Sequence, residues 1–471
     1  MIRRVGLACA IAASLAGCEG VSTNSSASYE PEAYVQVEHP EWSRDAVIYQ
    51  LNTRQFTEAG TFAAAQEHLP RLADMGVDVV WLMPIHPIGE VNRKGEMGSP
   101  YSVLDYRAVN PDLGTEEEFR AFVDAAHELG LKVILDWVAN HSAWDNALTE
   151  EHPEWYSRTP EGELMPPEGT DWDDTVDFDY SQAGLREYMT GSLTYWVREF
   201  GVDGYRADVA GFVPLDFWEN ARAELDAIKP VFMLAEWETR DLHRHAFDAT
   251  YAWGWKEAFQ ESVVAGEGAG AIRGYYNSQK TTWPVGAYRM SYTDNHDQNS
   301  WDGVASEIYG PAYEAAIALS FVGPGIPLIY NGQEADLDRQ LSFFGKDQIE
   351  WKAGQYDGLF RRLIALKTQN EVLWNGRFGA PMIDVPNDAS DDVLSFVRGK
   401  NGKRVFAVFN LSPRPHTVEF ELARHHGTYS DMLSGDPVTF GAEKGEGYGV
   451  VLAPWAYKIY VEKSAESATA E

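Results

Sequence analysis

Eight short apolar runs, spread over about 300 residues and separated by amphipathic stretches, predict an α/β chain closed into a (β/α)8, or TIM, barrel. Two further observations complete the fold class. After the third run the spacing stretches over about 141–188 into polar and aromatic text, which predicts a short subdomain inserted in the barrel. After residue 378 the pattern changes to short alternating runs, which predicts a separate antiparallel β-sandwich domain over 379–462, followed by a tail over 463–471.

Taken in order, the chain opens with Arg3 and Arg4 and then an apolar run from Val5 to Ala16, too short to span a bilayer. This is the pattern of an export signal over residues 1–18. Its close, Leu15-Ala16-Gly17-Cys18, resembles a bacterial lipoprotein lipobox, which implies cleavage before Cys18 and a lipid on its thiol. An ordinary secretory signal with a chance cysteine is the alternative. Glu19 stands where an Asp would favour the inner membrane, so the expected location is the outer membrane, on its periplasmic or outer face. Cys9 is the other cysteine, so the folded body is expected to hold no disulfide and no cysteine metal site. Residues 19–41, rich in Ser, Thr, Asn, Glu and Pro, are expected to be a tether without a core.

The barrel is expected over 42–378. Its candidate strands are Ala46 to Leu51, Val77 to Met83, Lys132 to Asp136, Gly204 to Asp208, Val231 to Glu236, Phe247 to Tyr251, Arg289 to Thr293 and Pro327 to Tyr330. Helices are expected over Thr61 to Met75, over Glu116 to Leu129 with Thr115 as its cap, and over Asp357 to Gln369. In the last domain, Lys400-Asn401-Gly402-Lys403 joins two strands as a hairpin, and Val450 to Val461 is one strand region. His243 and His245, flanking Arg244, are expected to be exposed on a helix rather than to bind metal.

The net charge of -34 argues against nucleic acid or anionic lipid as the partner, since both would be repelled. A neutral substrate fits better, and membrane contact is expected through the N-terminal lipid alone. A monomer is expected.

Charged residues gather where the strands end. The third run ends Asp136-Trp137-Val138-Ala139-Asn140-His141; the fourth carries Arg206 and Asp208, two apart and so on one face; the fifth ends in Glu236; the seventh runs into Asp294-Asn295-His296-Asp297. Arg206 and Asp208 alone fit a buried structural ion pair equally well. Several carboxylates converging on one barrel mouth are costly to keep for stability, and they suit glycoside hydrolysis, which needs one ionised and one protonated carboxyl.

On these residues the chain resembles the α-amylase family of retaining α-glucan enzymes (glycoside hydrolase family 13). Its four best-known motifs stand at 136–141, 201–210, 234–237 and 292–297, with weaker ones at 76–84 and 325–334. The resemblance implies Asp208 as nucleophile, Glu236 as general acid and then base, and Asp297 as the third carboxylate. It implies that Arg206 keeps Asp208 ionised, that His141 and His296 bond the sugar, that Tyr101 stacks on it, and that Asp136 props up the site. It further implies endo-acting hydrolysis of α-1,4 bonds in starch or maltooligosaccharides, with transglycosylating or trehalose- and sucrose-directed relatives as the alternative. A glycan-binding protein without catalysis is a second alternative, opposed by the presence of all three carboxylates. Many relatives bind calcium through positions matching Asn140 and Asp177. Their Lys-His pair after the nucleophile is replaced here by Gly211 and Phe212, so no cofactor is expected to be required, with calcium the one to test.

Overall fold

All eight expected strands form, and each pairs in parallel with its neighbours until the last closes on the first. They are β1 (Ile48–Leu51), β2 (Val79–Leu82), β3 (Lys132–Trp137), β4 (Gly204–Ala207), β5 (Phe232–Ala235), β6 (Ala249–Tyr251), β7 (Tyr288–Tyr292) and β8 (Ile326–Tyr330). The structure is a computed structural model that describes residues 33–421, 423–441 and 449–463. The export signal, Cys18, most of the expected tether and residues 464–471 lie outside the described residues. Among the described residues no helix is long and apolar enough to cross a membrane.

The period-2 alternation of each strand sorts its side chains into two cores. Ile48, Trp81, Ile134, Leu234, Tyr251 and Met290 fill the inside of the barrel, and the alternate residues pack outward under the helices. Thr115 caps Glu116–Glu128 with a full capping box: its hydroxyl accepts from Glu118 N and the Glu118 carboxylate accepts from Thr115 N. The stretch expected as one helix over Thr61 to Met75 is two, Phe62–Gln66 and Leu69–Met75. Pro70 sits in the first turn of the second, where a missing N–H costs nothing, whereas it would break a continuous helix.

The expected tether ends earlier than residue 41. Val35 and Val37 are buried, and His39 reaches under the barrel, its Nδ1 2.7 Å from Asp248 Oδ1 and its Nε2 3.0 Å from Gly286 O. An extended segment that buries every second residue lies hidden in a polar composition. The insert after β3 is a small unit in which His141–Ala143 pairs antiparallel with Thr175–Asp177. It ends before the expected residue 188, because helix Ala183–Phe200 has already begun at Ala183.

In the last domain six antiparallel strands make one sheet, and His416–Glu419 pairs with Gly449–Leu452 beside it. The hairpin forms between Val393–Lys400 and Lys403–Asn410, with Asn401 and Gly402 both at positive φ (53° and 77°) as a tight two-residue turn demands. The expected single strand region over 450–461 is two strands in different sheets, Gly449–Leu452 and Tyr457–Glu462, because the chain turns at Trp455 (φ 61°). Arg398 fixes this domain to the barrel by donating to Val322 O (3.1 Å) and Gly323 O (2.7 Å).

Candidate active site

The ladder that pairs β3 with β4 sets Asp136 directly beside Arg206, and the alternation of β4 aims Asp208 to the same side as Arg206. Glu236, one residue beyond β5, completes the group. Arg206 is fully buried. Its Nη1 donates to Asp136 Oδ1 at 2.7 Å and to Asp208 Oδ1 at 2.9 Å. Its Nη2 lies 2.9 Å from Glu236 Oε2 without an N–H aimed at that oxygen, so this contact is coulombic. One guanidinium therefore serves three carboxylates. The Val209 N–H donates to Glu236 Oε2 at 2.8 Å, from a residue held at φ 34°, which is strained for a β-branched side chain.

Burial raises Asp208 and Glu236 above the ordinary carboxylate range; Arg206 opposes this for both, and neighbouring carboxylates add to it. Burial raises Asp136 in the same way. The cluster thus keeps protons at a pH where exposed carboxylates have lost theirs, which gives it a proton donor near neutrality.

Tyr101 and His296 stand beside the cluster. The Gln50 side-chain oxygen accepts from His296 N (3.2 Å), so its NH2 must face His296 Nδ1, 2.7 Å away. That leaves the imidazole proton on Nε2, 2.7 Å from the Tyr101 hydroxyl, and the Tyr101 hydroxyl donates to Asp136 Oδ2 at 3.1 Å. Burial pulls His296 down to about 4 and His141 to about 3, so both are neutral hydrogen-bonding groups at neutral pH. Asp297 is the most open of the set, its side chain 43% exposed. Asp208, Glu236, Asp297, His141, His296 and Tyr101 all line one cavity of about 700 Å³ at the C-terminal mouth of the barrel.

The two candidate calcium ligands lie side by side. The Asn140 amide donates to Asp177 Oδ1 at 3.4 Å, and among the described residues no group of three acidic, His or Cys side chains is placed to hold a metal ion. Calcium takes six to eight oxygens, so these two residues do not fit it by themselves. His243 is not on an exposed helix face as expected: it is fully buried, with Nε2 2.9 Å from Thr250 Oγ1, while His245 is exposed. A residue close to the chain's turn into β6 is covered by neighbours that its own sequence does not name.

Several groups around the site carry no motif. Gln50 and Trp81, which donates to Asp136 Oδ2 at 3.2 Å, are inward positions of β1 and β2, and strand alternation alone points to them. Trp301, Phe343 and Phe344 also line the cavity from loops after β7 and β8. Gly211 is needed where it stands, because a Cβ there would meet the Trp237 ring at 2.0 Å. Phe212, 47% exposed, meets Trp237 and Trp172 at centroid distances of 5.5 and 6.3 Å.

A closed parallel barrel with paired carboxylates and aromatic walls at its C-terminal mouth is the build of a glycoside-processing enzyme. The chain belongs to the α-amylase family: residues 45–370 match the alpha amylase catalytic domain and residues 383–468 the alpha amylase C-terminal all-beta domain. It is 27% identical to alpha-amylase MalA of Haloarcula japonica over 84% of this chain and 59% of that protein. It is 32% identical to an alpha-1,4-glucan:maltose-1-phosphate maltosyltransferase of Streptomyces coelicolor over 77% of this chain and 57% of that one. The chain thus spans little more than half the length of these relatives. Among solved structures it resembles the noncanonic maltogenic alpha-amylase AmyB of Thermotoga neapolitana (TM-score 0.81, 31% identical, covering 89% of this chain and 99% of that one). It also resembles an alpha-amylase of Lactobacillus plantarum (TM-score 0.79, 32% identical, covering 90% and 100%).

Proposed function

We propose that this chain is a retaining α-glucan hydrolase that cleaves α-1,4-glucosidic bonds in starch or maltooligosaccharides through a covalent glucosyl-enzyme intermediate. The observation that carries the reading is the single buried guanidinium of Arg206 in contact with both Asp208 and Glu236. Arg206 hydrogen-bonds Asp208 but touches Glu236 by charge alone, so of the two carboxyls that burial raises, Asp208 is the one that ionises to attack and Glu236 the one that keeps its proton for the leaving oxygen. Once the ester has formed and the leaving saccharide has gone, Glu236, now ionised, takes a proton from water, and that water releases the sugar with its anomeric configuration retained. Asp297, Tyr101, His141 and His296 hold the sugar ring over Asp208. No metal is required in this reading.

A second reading, transfer to a sugar acceptor, is favoured by one observation. Phe212 offers an exposed apolar face next to Trp237, beside Glu236, where a sugar would stack and water would gain nothing. Incubating the purified protein with maltoheptaose, with and without a chelator, and following the products by NMR separates these readings. Short saccharides of retained α configuration, formed at equal rates under both conditions, are expected. Products longer than the substrate would replace hydrolysis with transfer, loss of rate on chelation would restore a metal, and inverted products would reject the mechanism.

A further inference from the structure

The mouth of the barrel is fenced on one side. In the loop after β2, Ile88 and Val103 form an antiparallel bridge and Gly89 N donates to Ser102 O at 3.0 Å, so residues 89–102 stand out as a closed excursion. One flank of the excursion is fixed to the insert. Lys94 Nζ donates to Asp171 O at 2.5 Å and lies 3.4 Å from Asp174 Oδ1, and Glu90 N donates to Asp145 Oδ2 at 2.8 Å. The other flank is fixed to the loop after β8. There Met97 N donates to Phe344 O at 2.9 Å, and Arg54 Nη1 joins Gly98 O (3.1 Å) to Phe343 O (3.3 Å). The approach is so close that a Cβ on Gly95 would stand 2.4 Å from Phe344 Cβ.

The loop after β8 is tied in turn to the loop after β7. Leu341 N donates to Asn299 Oδ1 at 2.8 Å, and the Trp301 ring lies 5.2 Å from Phe343 and 5.8 Å from Phe344. A continuous belt therefore runs through the loops after β7, β8, β2 and β3, with Lys94, Phe343, Phe344 and Trp301 all on the cavity wall. On the remaining side, among the described residues, no hydrogen bond joins residues 209–213, just after the Asp208 position, to the insert; the contact there is the ring pair of Phe212 and Trp172, centroids 6.3 Å apart.

The chemistry assigns the two sides, and this step rests on the function proposed above. Glu236, just past β5, must face the bond to be cut, so the leaving part of the glucan lies toward Trp237 and Phe212. Tyr101 and His296, from belt loops, face the sugar that Asp208 attacks. We infer that the belt closed by Lys94 ends the cleft behind the attacked sugar, so that the enzyme takes α-glucans by their non-reducing ends and releases short saccharides of set length, in place of cutting internal bonds. A cavity of about 700 Å³ has room for a few glucosyl units.

The test compares maltoheptaose with the same saccharide carrying an acetal across O4 and O6 of its non-reducing terminal glucose, with products separated by chromatography. The expected result is one dominant short product from the free saccharide and cleavage of the blocked one slower by at least about tenfold. Lys94→Ala is expected to narrow that gap by opening the belt. Equal rates on the two saccharides, or a broad ladder of products from the free one, would overturn the inference while leaving hydrolysis intact. An unchanged gap in Lys94→Ala would overturn the part assigned to Lys94. Cleavage of neither saccharide would instead bring down the proposed function and this inference with it.

Discussion

Two buried arginine–carboxylate clusters sit at opposite ends of the same barrel, and they differ in how fully each acceptor is served. At the floor, Asp248 receives His39 Nδ1 on one oxygen and both Arg222 Nη1 (2.8 Å) and Met233 N (2.8 Å) on the other. Burial raises its carboxyl, but Arg222 and the His39 bond outweigh that and hold it below the usual range. At the mouth, three carboxylates share Arg206, one of its contacts is not a hydrogen bond, and burial holds the carboxyls above the usual range. The floor cluster is complete and stabilises the fold. The mouth cluster has more acceptors than donors, a state that costs stability and leaves protons available for chemistry.

That contrast breaks most sharply at Glu236. Glu236→Gln is expected to lower kcat on unactivated maltooligosaccharides by about 10²–10⁴-fold, while Tm at neutral pH does not fall. The sign follows from linkage: a carboxyl whose folded pKa is raised favours the fold most at low pH, and that advantage is lost as pH rises through the folded pKa. Gln cannot ionise in either state, so the cost of holding Glu236 protonated in the fold at neutral pH, where the unfolded chain would ionise it, disappears. Near-normal turnover, or a Tm drop of several degrees, would erase the distinction between the two ends.

The opposite substitution sharpens the comparison from the other end. Asp248→Ala leaves the buried Arg222 short of a partner, and a loss of about 3 kcal/mol in denaturant unfolding is expected, with kcat of the folded fraction unchanged. Because the folded pKa of Asp248 is lowered, its contribution is present above the unfolded value of about 3.9 and fades as pH falls through the folded one. The parent should thus lose more stability than the variant between neutral and strongly acid pH. A parallel acid limb in both would discard Asp248 as a floor clamp.

The smallest effect is expected at Val209. Val209→Gly keeps the N–H that holds Glu236 and removes the positive-φ strain, but adds backbone freedom, so stability should shift by under about 1 kcal/mol. A severalfold loss of kcat with unchanged stability would mark the strain as what holds Glu236 in place. Unchanged kcat would make Val209 a passive neighbour.

The strand ends were legible because strand alternation is a local rule: once Gly204 to Asp208 is a strand, Arg206 and Asp208 must share a face. The hairpin at Asn401-Gly402 and the capping box at Thr115 were legible for the same reason, since each is closed by residues within a few positions. His243, Val35 and Val37 were not, because what buries them comes from distant segments. Calcium binding was not legible from Asn140 and Asp177, since a coordination shell needs further oxygens whose arrival no pair of residues predicts.

By itself the sequence determined the eight strands, the inward face of each, and so the identity of the charged residues at the barrel mouth, because periodicity and turn chemistry act over a few residues. The tertiary structure alone decided which carboxylates share Arg206, that the floor pairs Asp248 with His39 from 209 residues away, and that Lys94 joins two loops into a belt. Those are contacts between segments far apart in the chain, set by barrel closure and packing, and no local rule contains them.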